Sequence, residues 1–199
     1  MAIDGRSARG SATKELILDT AMDLFKSSGF RATSVRDIAA RSGITHPGLL
    51  YHFPTKEALL MAVLQRRDDV EGEPVDFHGL DGRALLGHLV AGAAKNATER
   101  GIVELFANLS VEAAAPDHPA HEYFVGRYTS LRATLVEGLE ELASAHALRP
   151  DVLPAIAAAH LIALMDGLQI QWLLDPATDM VGALSFYVNS LLTEPFEGI

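Results

Sequence analysis

The most constraining feature of this chain is the stretch 35–56, VRDIAARSGITHPGLLYHFPTK. It spells two short helical segments around a glycine. Val35, Ile38 and Ala39 share one helical face, Gly43 breaks the run, and a second segment follows from about Thr45 to Tyr51 or His52. Neither reaches the roughly twelve residues at which an isolated helix becomes even marginal in water. Both must be held by neighbours. Thr33 or Ser34 stands where the first segment needs an N-cap, and Pro47 falls in the opening turn of the second, whose N–H groups have no intrahelical acceptor. Gly43 can take a left-handed turn without a Cβ penalty, Ala39 is small where the segments cross, and Leu49 points back toward Ile38 and Leu24. These are the parts of a helix-turn-helix, with one helix clamped on its apolar face and free on the other.

The rest of the chain is helical in pattern. Ala and Leu are abundant, 49% of residues are hydrophobic, and no strand-like alternation is visible, so the fold class is all-α. Leu16, Ile17, Ala21, Leu24 and Phe25 predict a helix from about Ala12 to Ser28, preceded by a flexible arm carrying Arg6 and Arg9 and stopped by Gly29. Thr55 caps a fourth helix with Lys56 and Glu57 in its first turn. The acid-, Gly- and Pro-rich stretch 70–82 reads as a loop. Beyond it, breaks at Gly101, APDHP, ALRPD and LDPAT divide the chain into helices at about 82–99, 102–114, 118–146, 151–174 and 177–193. The expected organisation is about nine helices: a three-helix head over 1–55, and a body over 56–199 in which 56–70 is a connecting helix.

LLYHFPTKEALL following VRDIAARSGIT resembles the tetracycline-repressor (TetR) family of one-component bacterial regulators, at motif quality from Lys14 to about Leu64. The resemblance implies that Tyr51, His52 and Lys56 grip the backbone of double-stranded DNA, with Phe53 anchoring the end of the third helix in the core. A phenol, an imidazole and an ammonium can all donate to phosphate oxygens. Base reading falls to the first turns of that helix, through Thr45, His46 and the apolar Pro47, with Gly48 and Leu50 where the family often has a polar and an aromatic residue. Arg36 and Thr33 or Ser34 are expected as further phosphate contacts.

The net charge of −10 looks wrong for such a partner until it is divided. Residues 1–70 hold ten Lys/Arg against eight Asp/Glu, and the remainder six against eighteen, so the acidity belongs to the body. An acidic body behind a slightly basic head favours a head-first approach to a polyanion.

Residues 151–174 and 177–193 correspond to the helices through which the family pairs into homodimers. The first is long enough to span a membrane, but Asp166, Pro154, His160 and two glutamines argue against that. The family further implies a small-molecule effector in the body. Polar residues among apolar ones are the candidates: Glu112, Tyr123, Tyr128, His160, Asp166, Gln169 and Trp172, with Phe106 and Met165 as walls. No cofactor is implied, and a cytoplasmic, ligand-responsive repressor acting on a pseudo-palindromic operator is the function expected.

Two rivals belong beside it. A metal-dependent helical enzyme could use Asp117, His118, His121 and Glu122, yet no His-Glu-x-x-His, Gly-x-Ser-x-Gly or P-loop occurs, and Asp117 and Pro119 read as the start of a helix. Without cysteine, thiol catalysis and Cys-based zinc sites are excluded. The other rival is a helical ligand-binding or scaffold protein with a degenerate head. The N-terminal stretch 1–14 lacks an apolar core of the kind a signal peptide needs.

Overall fold

The computed structural model describes the backbone of residues 4–70 and 80–196, and the side chains of residues 10–66 and 80–196. Among these residues the chain forms nine α-helices: α1 (Asp4–Ser28), α2 (Val35–Ser42), α3 (His46–His52), α4 (Lys56–Val70), α5 (Gly82–Asn96), α6 (Arg100–Glu112), α7 (His121–Ser144), α8 (Pro154–Leu174) and α9 (Met180–Leu191). The all-α expectation holds. An isolated antiparallel bridge joins Leu148 to Leu192. Helix α1 begins well before Ala12, because a turn without an apolar face leaves no periodicity to read. The side chains of Arg6 and Arg9 lie outside the described residues, as does most of the 70–82 loop.

The chain divides into two compact units, Met1–Val75 with Glu112–His121, and Asp76–Val111 with Glu122–Ile199. The head therefore extends beyond residue 55. The reason is packing: Leu59, Leu60, Val63 and Leu64 of α4 are completely buried, together with Ile17, Ala21 and Phe25 of α1, Ile38 of α2 and Leu49 of α3. Arg66 adds a polar tie, its guanidinium donating to Asp19 at 2.7 Å and to Glu15 at 3.0 Å on α1. Helix α4 is a full member of the head core rather than a separate connector. Leu16, expected inside, is 47% exposed on the opposite side of α1.

In the body, Leu85, Leu86, Leu89 and Val90 of α5, Leu135 and Leu139 of α7, Leu161 and Leu168 of α8, and Leu184 and Val188 of α9 form one core. Helices α5 and α7 approach closely at Gly82 and Gly138. A Cβ on Gly82 would collide with the Gly138 carbonyl, so only glycine permits this crossing. Helix α8 is long and apolar enough to cross a membrane by length and composition. Here it packs on α9 and lends Ala157, Ala158, Leu161, Ile162, Leu168 and Trp172 to the core. Helix α7 starts at His121 rather than 118: the Asp117–Ala120 segment turns instead, with the Ala120 N–H donating to His118 Nδ1 and the His121 N–H to the His118 carbonyl.

Candidate nucleic-acid interface and effector site

Local chemistry builds the two short helices of the head. Ser34 and Asp37 form a reciprocal capping box: the Asp37 N–H donates to Ser34 Oγ at 3.1 Å, and the Ser34 N–H donates back to Asp37 Oδ2 at 3.1 Å. Hydrogen bonds from the Ser34 side chain and backbone hold the Asp37 carboxyl below the usual carboxylate range. At the other end of α2, Gly43 is left-handed (φ 67°), and the N–H groups of Gly43 and Ile44 close on the carbonyls of Ala40 and Ala39. The turn then delivers Thr45 as N-cap of α3, its Oγ1 accepting from the Gly48 N–H at 3.2 Å.

Helix α3 is clamped on one side. Leu49 is fully buried and Phe53 nearly so, while Tyr51 is 84% exposed and Thr45 and Pro47 face solvent beside it. The edges of the Tyr51 and His52 rings meet with centroids 5.3 Å apart, and His46, Gly48, Leu50 and His52 are half-buried along the rim. Gly48 has a structural reason to lack a side chain. A Cβ there would stand 3.0 Å from Thr45 Oγ1 and 3.2 Å from an Ile44 methyl, pressing on the cap. Arg36 is exposed in the first turn of α2.

Two predicted phosphate contacts are placed otherwise. Thr33 is buried, and its hydroxyl donates to the carbonyls of Gly29 (2.9 Å) and Leu24 (3.3 Å), so it secures the α1–α2 loop. Lys56 donates to the carbonyls of Thr33 (3.0 Å) and Arg31 (3.3 Å), with its ammonium 4.3 Å from the centre of the Phe30 ring. That leaves one of three N–H donors for an anion. Ser34 stays exposed, but its hydroxyl already donates to Asp37 at 2.6 Å.

Of the predicted effector residues, the body brings together a connected set. The Tyr128 hydroxyl on α7 donates to Asp166 Oδ2 on α8 at 2.9 Å. Burial, then the Asp166 charge, pushes Tyr128 up to about 12, and burial raises the Asp166 carboxyl as well. Around Tyr128 stand Phe106 and Tyr123, joined by Phe124, which the sequence reading missed, while Trp172 is buried in the body core. The Phe124 ring meets those of Phe106 (6.1 Å), Tyr123 (5.1 Å) and Tyr128 (6.5 Å). It sits one turn before Tyr128 on α7, and that i to i+4 spacing is the signal that could have found it. Met165 and Gln169 are half-buried on α8 near Asp166 in sequence. Guanidinium groups lie against two of the rings, Arg127 over Phe106 (5.7 Å) and Arg100 over Trp172 (5.6 Å).

Two candidates do not join this set. Glu112 sits in the head unit and pairs with Arg31 at 3.1 Å, with His118 Nε2 3.7 Å from its other oxygen. His160 points outward, its Nδ1 3.2 Å from the Tyr187 hydroxyl on α9. Each is turned by the helical phase of its own element. His121, considered as a metal ligand, has its Nδ1 2.7 Å from the Ala113 carbonyl.

Comparison with known proteins decides the family. Residues 17–63 match the model for bacterial regulatory proteins of the tetR family, and residues 83–193 match the C-terminal model of BetI-type transcriptional repressors, more than half of the chain. The chain belongs to the TetR family. Among its relatives, the Escherichia coli K12 transcriptional regulator RutR is 45% identical over 65 residues, 33% of this chain and 31% of RutR. The Rhodococcus jostii transcriptional repressor KstR2 is 41% identical over 90 residues, 44% of each chain. The chain thus matches less than half the length of either. In fold, a transcriptional regulator from Saccharomonospora viridis, crystallised in complex with choline, superposes with a TM-score of 0.80 at 22% identity, over 92% of this chain and 100% of that one.

Proposed function

We propose that this TetR-family protein is a cytoplasmic, ligand-responsive transcriptional repressor that binds a pseudo-palindromic operator as a homodimer and is released by a small, mostly apolar effector. One observation carries the reading: α3 buries Leu49 and Phe53 and leaves Thr45, Pro47 and Tyr51 in solvent. A helix braced on one side by its own core, with a polar and aromatic rim on the other, suits the major groove. Thr45, His46 and Pro47 read base edges, with Gly48 and Leu50 beside them. Tyr51, His52, Arg36 and the remaining N–H of Lys56 hold phosphates, while the Ser34 donors stay with Asp37.

Dimerisation is supported by the outer faces of α8 and α9. Apart from Asp166, which is bonded to Tyr128, these two helices contain no Asp, Glu, Lys or Arg, and they expose Ile156, Ile170, Leu174 and Phe186. In a chain with a net charge of −10, a charge-free apolar face is where two copies meet with least repulsion. The effector reading is supported by the Tyr128–Asp166 pair beside Phe106, Tyr123 and Phe124, with Met165, Gln169 and Trp172 on the same helix as Asp166. The choline complex of the Saccharomonospora viridis regulator supports a small organic ligand as the kind of molecule such a body accepts. Binding there favours a dimer whose α3 helices stand at a separation the duplex cannot match, by as much as the effector's affinity differs between the two states.

The test is selection of bound fragments from genomic DNA, followed by titration of a selected fragment at several salt concentrations. A steep fall of affinity with salt is expected, since held phosphates release counterions. Binding that is weak and indifferent to salt overturns the reading in favour of a scaffold whose head has lost DNA.

A further inference from the structure

Along α8 and its cap, Leu153, Ile156, His160, Ala163, Gly167, Ile170 and Leu174 follow one another at alternating spacings of three and four, the spacing of a coiled-coil seam. The stripe faces outward: Leu153 is 63% exposed, Ile156 51% and Leu174 83%, His160 and Ala163 are exposed, and a Cβ on Gly167 would meet nothing within 4 Å. Ala163 and Gly167 make its middle narrow enough for another helix to approach. His160 is the one ionisable side chain in this stripe.

The groups facing His160 are few. Helix α9, packed against α8, presents the Tyr187 hydroxyl, 3.2 Å from Nδ1, and carries no acid or base that could pair with an imidazolium. Asp166, the one carboxylate on α8, is bonded to Tyr128 on another face. Where a second copy closes on the same stripe, that stripe again carries His160 as its one ionisable side chain. Burial of Tyr187 raises its phenol, so it stays neutral below its ordinary range.

We propose that His160 makes the homodimer acid-sensitive: two copies close over this seam while the imidazole is neutral, and protonation of His160 loosens them. The inference rests on the homodimer proposed above. The physical reason is desolvation. A seam with no anion offers an imidazolium only the neutral Tyr187 hydroxyl in exchange for the water it loses, whereas a neutral imidazole keeps a bond to the same hydroxyl at a far smaller desolvation cost. The sign follows: dimer stability is complete above the range in which histidine titrates and falls as pH drops through it.

Sedimentation equilibrium of the full chain at pH 8 and pH 5.5, with helicity checked by circular dichroism at both, tests this. The wild-type dissociation constant should be weaker at pH 5.5 by at least about tenfold, since each dimer must shed a proton from each of two imidazoles. His160→Leu should dimerise at least as tightly at pH 8 and lose most of the shift, while seven other histidines remain as an internal control. A wild-type dimer equally strong at both pH values, or a His160→Leu variant that keeps the full shift, overturns the role of His160 and leaves the dimer standing. A wild-type chain that is monomeric at both pH values overturns the homodimer itself.

Discussion

In the head, besides the longer ties of Arg66 and Lys56, several polar side chains close to the core are bonded to groups within the same turn or loop. Thr33 bonds to Gly29 and Leu24, Ser42 to Ile38, Thr45 to Gly48, and Ser34 to Asp37. In the body, local bonds such as those of Ser110 to Ala107 and Thr129 to Val125 are joined by a long-range side-chain pair and by an unfilled hydroxyl. Tyr128 reaches Asp166 across 38 residues of sequence, and the buried Ser185 hydroxyl has no hydrogen-bond partner among the described residues. Among the described residues, the large apolar side chains exposed in the head are Leu16 and Tyr51, whereas α8 and α9 leave Ile156, Ile170, Leu174 and Phe186 in solvent. The contrast separates two ways of making a functional surface. Bonds within a small core fix one shape, which suits holding a short helix ready for the major groove. Unfilled polar capacity and bare apolar faces suit partners that arrive later.

The comparison breaks first if the head does not depend on its clamp. Leu49→Ala removes a fully buried side chain and should cost about 2–5 kcal/mol, melting the head while the body stays helical. Limited proteolysis should then cleave near α3, and DNA binding should vanish for every sequence. Retained binding would mean that α3 is not held as described.

On the body side, Ile170→Glu places a charge in the exposed seam. Dimer affinity should fall by roughly a hundredfold, in keeping with the several kcal/mol that an unpaired buried charge costs. An unchanged sedimentation profile would put the copies together elsewhere.

Lys56→Ala sharpens the head half of the comparison, because this ammonium has both a structural and an anion-facing share. Loss of its bonds to Arg31 and Thr33 should lower stability by about 1–2 kcal/mol in chemical denaturation, and affinity should fall alike for all DNA sequences. Affinity loss with no change in stability would assign the residue to phosphate alone. Tyr51→Phe is milder and purely a surface change. Removing one exposed donor should weaken DNA about fivefold without moving the melting temperature. The smallest effect belongs to Asp166→Asn. Burial raises this carboxyl, so the wild type meets a desolvation cost that is absent at acid pH and grows as pH rises through the folded-state value. The variant should gain slightly on wild type as thermal melts move from about pH 4 to pH 7. A variant that loses ground over that range would show that the charge is stabilising.

Much of the head was legible in the sequence because its determinants are neighbours. The Ser34 cap, the left-handed Gly43 and the inward Leu49 and Phe53 all act within a turn or two of themselves, whereas the capping role of Thr45 was not read. Lys56 escaped, since the carbonyls of Arg31 and Thr33 lie more than twenty residues back and backbone acceptors carry no residue signature. In the body, the helices and their breaks were readable, but the partner of each polar residue was not. Glu112 turned to Arg31, His160 to Tyr187 and Asp166 to Tyr128, and nothing in composition favours one pairing over another.

The sequence by itself determined that this chain is helical, where its short helices begin and end, and which side of α3 is apolar. Those follow from caps, glycines and periodicity, which act over a few residues. Only the tertiary structure decided that α4 belongs to the head core, that Tyr128 and Asp166 meet, and that one stripe of α8 is left bare. Such outcomes depend on which distant helices occupy the same space, and burial and pairing at long range are properties of packing rather than of any local run of residues.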